Sequence, residues 1–395
     1  MSAQVSLWSI GPSVYLPSLL FGIGQGAIAP VVVLSARELG ASVATASLVV
    51  AMLGVGQIIG DLPAGMLAVR IGEQRAMLVA AAATVGALVL CIMANSVWVL
   101  AIGIGMVGTA ASVWGLARHA YLTEVIPYAQ RARALSTLGG THRVGMFAGP
   151  FIGALVMSGM GTDGGYWVHV ATAVLAAGLL VLLPAVPSPS PRSGHDVSRE
   201  STLDVVRRHL PVLRTLGMGA LLVGAARASR QVVIPLWGDH IGLDAATTSL
   251  IFGLSGAVDM LLFYPAGLVM DRLGRRWVAV PSMLVLGLSY VLLPLTHSVA
   301  TLAAVSMVMG LGNGMGSGII MTIGSDISPA GSRATFLGAW RLCADVGNGA
   351  GPVLISAVTA AAALGPAILS MGAVAALAAL GMGYWIPRYG GSPRE

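Results

Sequence analysis

The stretches GMLAVRIGEQR (65–75) and GLVMDRLGRR (267–276) stand 202 residues apart and share one frame: Gly65, Arg70 and Gly72 in the first, Gly267, Arg272 and Gly274 in the second. Each lies between two long apolar runs, so each reads as a tight turn joining two helices. Gly72 and Gly274 supply the backbone freedom such a turn needs, and Arg70 and Arg272 supply charge that can anchor to acidic groups or helix C-termini. Laid on itself at this offset, the chain also matches Pro63 with Pro265, Pro127 with Pro329 and Arg131 with Arg333. Further on, Gly145 meets Gly347, Gly149 meets Gly351 and Pro150 meets Pro352, without a gap. Glycine coincidences alone are expected in so Gly-rich a chain, but ordered Pro and Arg matches are not, so the chain reads as two copies of one unit.

Of the 395 residues, 56% are hydrophobic and 9% charged, against about 45–50% and 25% in a soluble globular domain. An ordinary cytosolic protein is excluded. The apolar residues fall in uncharged blocks such as 77–90 and 278–295, and about 20 such residues cross a bilayer. Spanning helices are expected near 10–34, 43–68, 76–94, 97–122, 134–158 and 166–184, then near 213–236, 245–270, 277–295, 299–322, 335–359 and 365–386. The fold class is therefore an all-α membrane protein of twelve transmembrane helices in two parallel six-helix repeats. Residues 1–184 form an N-terminal bundle, 185–212 a cytoplasmic linker and 213–395 a C-terminal bundle. The Pro-rich run 184–191 favours an extended linker, and a short amphipathic helix on the membrane surface fits 203–216. A repeat offset of six helices keeps both copies in one orientation and places the substrate site near the midplane between the halves.

All 21 basic residues are Arg. Fifteen of them crowd into alternate connections: Arg70 and Arg75, Arg131 and Arg133, Arg192 to Arg214, Arg272 to Arg276, Arg333, and Arg388 with Arg394, while the other connections are nearly bare, with Arg37 beside Glu38 in the first. By the positive-inside rule that side is cytoplasmic and both termini face it, so the basic balance marks membrane topology rather than nucleic acid. The first ten residues carry no Lys or Arg, so the first helix is expected to stay as an uncleaved anchor. Cys91 and Cys343 sit inside apolar blocks, away from metal-ligand spacing, and read as buried free thiols.

The 65–75 and 267–276 stretches resemble the loop signature G-x-L-A-D-R-x-G-R-K of the major facilitator superfamily. The second copy is the better match; the first departs at Val69, where the family has Asp, and at Glu73, where it has a basic residue. The resemblance implies a rocking-bundle transporter whose loop arginines latch the halves on the cytoplasmic side. Gating roles then fall to Gly65, Arg70, Gly72, Glu124, Arg131, Gly267, Asp271, Arg272, Gly274, Asp326 and Arg333, with Glu124 and Asp326 as acidic partners. The fifth helix, with Gly145, Gly149, Pro150 and Gly153, resembles the G-x8-G-x3-G-P-x2-G-G signature of exporting antiporters. Ser136 replaces its first Gly and Ala154 its last. Gly347, Gly351 and Pro352 repeat it in the eleventh helix. Small residues four apart let helices approach closely; static packing is the plainer reading of the same residues. Drug-export members also carry an Arg in helix four, yet the region around Ile104 and Gly108 has none, and Arg118 lies about four turns later.

Polar residues inside a membrane are costly and usually turn toward a bundle interior or wet cavity. Candidates for the cavity or for coupling are Arg143, Arg227, Arg230, Asp259, Arg341 and Asp345, with Gln25, Gln57, Asn313 and Asp61 behind them. Arg143 is the repeat counterpart of Asp345, which suggests a transverse pair. The plainer alternatives are that Arg341 neutralises Asp345 within its own helix and that Arg143 snorkels. A proton-carrying role falls to Asp61, Asp259 or Asp345. An adjacent Arg holds a carboxylate ionised, which favours the first two; His119 and His142 are further carriers.

The sequence therefore points to a secondary active transporter of the drug/proton antiporter kind, exporting a small organic compound by alternating access on a proton gradient. It is expected to work as a multi-pass monomer in the cell membrane, with the bilayer and a small-molecule substrate as partners and without nucleic acid, metal or other cofactor. Uptake of an organic anion or metabolite is the rival within transport, and a non-transporting sensor or assembly partner the rival outside it. No H-E-x-x-H, G-x-S-x-G or Walker loop is present, so enzymatic chemistry is not expected.

Overall fold

The computed structural model describes residues 11–126, 130–182, 202–329 and 333–389. The linker run 184–191 and the side chains of Glu124, Arg131 and Arg333 lie outside the described residues, as do the surroundings of Gly65. Every regular element among the described residues is helical. A short π turn, Gly11–Tyr15, leads into α1 (Leu16–Ile28) and α2 (Val31–Glu38). Then come α3 (Val43–Ile71), α4 (Glu73–Ile92), α5 (Val97–Val125), α6 (Arg131–Met160) and α7 (Asp163–Leu182). After the linker follow α8 (Thr202–Arg208), α9 (Leu210–Val212), a π turn (Leu213–Gly217), α10 (Met218–His240), α11 (Ala245–Leu273) and α12 (Arg276–Leu292). The last helices are α13 (Val299–Met315), α14 (Ile319–Ile327), α15 (Arg333–Ala361) and α16 (Leu364–Tyr389).

Eleven helical segments among the described residues are long and apolar enough to cross a membrane. The twelfth expected span corresponds to α15, which is 29 residues long but carries Arg341, Asp345 and Asn348, so its apolarity is diluted. Two of the expected single helices, the first and the tenth, are interrupted. Pro30, which lacks an N–H, starts α2 after a short break. The span expected over 299–322 stops at Met315 and resumes at Ile319, because Gly318 takes a left-handed φ of +81°. The amphipathic segment expected over 203–216 is α8, α9 and a π turn rather than one helix. Cys91 is buried as expected, whereas Cys343 is only half-buried.

The chain forms two compact units. Unit 1 holds α1 to α7 together with residues 243–253; unit 2 holds the rest. In unit 1, α1 packs on α6 and α7, α3 on α5, and α4 on α5 and α7, around a core that includes Phe21, Met77 and Trp114. In unit 2, α10 packs on α15 and α16, and α12 on α13 and α16.

The 202-residue repeat holds at the level of single backbone contacts. A Cβ on Gly145 would strike the Leu19 carbonyl, and one on its counterpart Gly347 the carbonyl of Leu221, the counterpart of Leu19. Gly149 faces Ile23 as Gly351 faces Ala225, and Gly22 faces the His142 carbonyl as Gly224 faces that of Ala344. These glycines let α1 cross α6, and α10 cross α15, at backbone contact. The helix caps repeat too. Ser42 accepts from Thr45 N–H where Asp244 accepts from Thr247 N–H at 2.9 Å, and Ser96 caps α5 as Ser298 caps α13. The turn glycines Gly72 and Gly274 share positive φ, +86° and +93°.

Asp244 also accepts from the Thr247 hydroxyl at 2.6 Å, and this bond with the backbone donors holds its carboxyl below the usual carboxylate range. A depressed folded-state pKa contributes stability above the unfolded pKa that is lost as pH falls through the folded one. Asp244→Ala is expected to cost about 1 kcal/mol near neutrality, measured by thermal unfolding in detergent. The gap should close in acid, and Asp244→Asn should retain most of the cap.

Candidate functional site

Four of the intramembrane candidates meet inside unit 2. Arg227 and Arg230 lie one turn apart near the middle of α10, Asp259 near the middle of α11, and Asn313 one turn before the break that ends α13. Asn313 is the hub. Its amide nitrogen donates to Asp259 Oδ2 at 2.6 Å, and its amide oxygen accepts from Arg227 Nε at 2.8 Å. Arg230 Nη2 reaches the same Asp259 Oδ2 at 3.3 Å, forming an ion pair whose side chains are 12% and 22% exposed. Arg230 Nη1 also donates to Ser255 Oγ at 3.3 Å.

The break beside this network is part of it. Arg227 Nη1 donates at 3.2 Å to the carbonyl of Gly316, in the turn between α13 and α14. An interrupted membrane helix is tolerated where other groups satisfy the freed backbone, and here a guanidinium does so. Close packing puts the charges within reach: Gly310 sits against the Ser255 backbone and Gly314 against that of Asp259. Each mid-membrane charge costs on the order of 3 kcal/mol to insert. Pairing Asp259 with Arg230 and threading both arginines into hydrogen bonds offsets part of that cost.

Among its described residues, unit 1 has no copy of this network. Gln25, half-buried on α1, and Gln57, exposed on α3, stand where unit 2 has Arg227 and Asp259. Ala111 and Trp114 stand where it has Asn313 and Gly316, and α5 runs unbroken. Asp61 is exposed and accepts from the Ser112 hydroxyl, a neutral partner, whereas Asp259, expected to stand away from an adjacent Arg, is paired with Arg230 as Asp345 is with Arg341. Arg143 is exposed on α6. On α15, Arg341 and Asp345 form the i,i+4 pair at 3.4 Å, with Arg341 70% exposed, and Asn348 reaches Asp345 at 3.5 Å.

At the turn ending α11, Arg275 makes the ion pairs. Its Nε lies 2.8 Å from Asp326 Oδ2 at the end of α14, and its Nη1 lies 3.7 Å from Asp271 and donates to the Met270 carbonyl. Asp326 and Asp271 are thus brought together by a residue the motif reading passed over; Arg272 and Arg70 are exposed. Ser255, Gly316 and Arg275 were missed. The first is an ordinary serine in an apolar run, whereas Gly316 lies in GNGMGSG (312–318), a glycine density that signals a weak point in a helix.

The Major Facilitator Superfamily sequence model matches residues 14–225 and 216–394. The chain belongs to the Major Facilitator Superfamily. Among curated relatives, multidrug resistance protein MdtL of Klebsiella pneumoniae is 24% identical over 315 residues, covering 78% of this chain and 79% of MdtL. An uncharacterized MFS-type transporter of Mycobacterium tuberculosis is 25% identical over 231 residues, 57% of this chain, and the match spans only 30% of that relative's length. Among solved structures, a bacterial homolog of the human lysosomal transporter Spinster, in an inward-facing and unoccupied conformation, superposes with a TM-score of 0.82 at 15% identity, covering 98% of this chain and 99% of that one. The nucleoside transporter NupG gives a TM-score of 0.72 at 15% identity over 93% and 97% of the chains. As a member of this superfamily the protein is a multi-pass membrane protein, and the cluster on α10, α11 and α13 is its candidate functional site.

Proposed function

We propose that the protein is a proton-coupled exporter of a small organic compound in the cell membrane, with both termini cytoplasmic, working by alternating access. The observation that carries this reading is the convergence of Arg230 Nη2 and Asn313 Nδ2 on one oxygen, Asp259 Oδ2. A proton arriving on that oxygen competes with both donors. It discharges the ion pair with Arg230, turns the Asn313 amide, and through Asn313 loosens Arg227 from the Gly316 carbonyl at the helix break. Charge at Asp259 is thereby tied to backbone geometry, which is what coupling requires. The likeness to a multidrug resistance protein supports outward transport, as does the Gly-Pro pattern of α6.

A second reading is uptake of an organic anion, favoured by the two arginines that face a single carboxylate in the network. Proteoliposomes with an imposed pH gradient and a panel of labelled organic cations and anions separate the two. The exporter reading expects counterflow of protons and compound, collapsed by a protonophore. Transport that ignores the gradient sinks antiport, and gradient-driven accumulation of anions alone favours the second reading.

A further inference from the structure

Unit 1 contains a buried cationic site that the coupling network does not use. Arg118 on α5 is 6% exposed, and its Nη1 donates to Ser18 Oγ on α1 at 2.7 Å. Its Nε has no hydrogen-bond partner among the described residues, and neither has Nε1 of Trp114, one turn earlier on the same helix and 1% exposed. Two buried N–H donors, on residues about 6 Å apart along one helix axis, therefore go unanswered, and buried donors are ordinarily paired. The groups around them are basic as well. His142 on α6 approaches the Ser18 carbonyl at 3.4 Å, and its basic neighbours include Arg118, His119 and Arg143. Gly115, one turn before Arg118, and Gly139, one turn before His142, meet nothing within 4 Å where a Cβ would stand. The ring of Phe21, stacked on Trp114 with centroids 4.4 Å apart, provides an apolar floor.

From these residues we infer that unit 1 holds an oxyanion site, in which a carboxylate or phosphate group accepts from Arg118 Nε and Trp114 Nε1 beside Ser18 and His142. A guanidinium and an indole N–H are donors only, so the ligand must be an acceptor, and buried positive charge selects an anion over water. The repeat supports a function peculiar to this half: Ala220, Gly316 and Ile320 stand at the positions equivalent to Ser18, Trp114 and Arg118, so the second half cannot build a copy. The anionic group has two sources, a soluble compound or a lipid headgroup, and both present the same oxygens.

The test uses the full chain in phosphatidylcholine nanodiscs, with thermal unfolding followed in sodium phosphate or acetate against sodium chloride of equal ionic strength. A rise of about 3 °C or more specific to the oxyanion is expected. Arg118→Gln should remove the rise, Trp114→Phe, which keeps the ring and loses only the N–H, should reduce it, and Arg227→Gln should leave it intact. If Arg118→Gln does not fold, Trp114→Phe carries the comparison. In phosphatidylglycerol nanodiscs, a rise already present without added phosphate assigns the group to a lipid headgroup, whereas an undiminished phosphate response assigns it to a soluble anion. Equal unfolding temperatures in phosphate, acetate and chloride overturn the inference. So does a rise that survives both unit 1 substitutions, or one lost in Arg227→Gln alone.

Discussion

Asp259→Ala is expected to abolish gradient-driven transport and to lower the stability of unit 2 by about 3 kcal/mol, the cost of removing one partner from a buried ion pair. The loss follows from geometry: Asp259 Oδ2 is the acceptor for both Arg230 and Asn313, so one truncation strands a guanidinium and an amide together. Asp259→Asn keeps the shape and removes the charge, and should lose coupling at a smaller cost in stability. Adding Arg230→Gln to Asp259→Asn should recover much of the stability, because no unpaired charge remains, without recovering transport. Thermal unfolding and proton flux in proteoliposomes, measured on the same four proteins, separate the two effects. If Asp259→Asn transports on a gradient as the parent does, Asp259 is a structural counter-ion and the coupling site lies elsewhere; Asp61, with its neutral partner Ser112, is then the carboxylate to substitute.

Gly347→Val should cost about 3 kcal/mol or more, the upper end of the penalty for overpacking, and deplete the folded protein recovered from membranes. Its new Cβ would run into the Leu221 carbonyl at the α10 and α15 crossing. Backbone cannot yield there without separating the helices that carry Arg227 and Asp345. Gly338→Val on the same helix is the control, since a Cβ at that position meets nothing within 4 Å. Size-exclusion profiles in detergent and unfolding temperatures report both. Equal behaviour of the two variants would mean that the crossing tolerates separation and that the repeated glycines are not packing contacts. The counterpart Gly145→Val is expected to injure unit 1 in the same way, through Leu19.

Much of this molecule was readable before any coordinates, and for a definite reason. A bilayer forces long apolar helices, so composition and hydropathy alone locate the spans, and a duplicated chain exposes its own repeat when shifted by 202 residues. The paired glycines were legible as pairs, and the structure shows why each is glycine. The mid-membrane charges were legible as candidates, because cost makes them rare. Sequence reasoning could not say which of them meet. Arg227 and Arg230, three residues apart, share a face of any helix that holds them, but their joining to Asp259 through Asn313 depends on how α10, α11 and α13 cross. The loop motif pointed to Arg272, whereas the residue that reaches Asp326 is Arg275, because the turn at Gly274 aims the later side chain at α14.

Gly72 and Gly274 make the same division clear in the turns with which the repeat begins. The sequence by itself determined the helical class, the twofold repetition, the turn glycines and the list of costly polar residues, since each is a local property or a comparison of the chain with itself. Only the tertiary structure decided that the charge network occupies one half, that a helix breaks at Gly316 to Gly318 to accept a guanidinium, and that Arg118 and Trp114 leave buried donors open. Those are outcomes of packing between segments far apart in the chain, where a few tenths of an ångström in a glycine crossing settle which polar atoms meet.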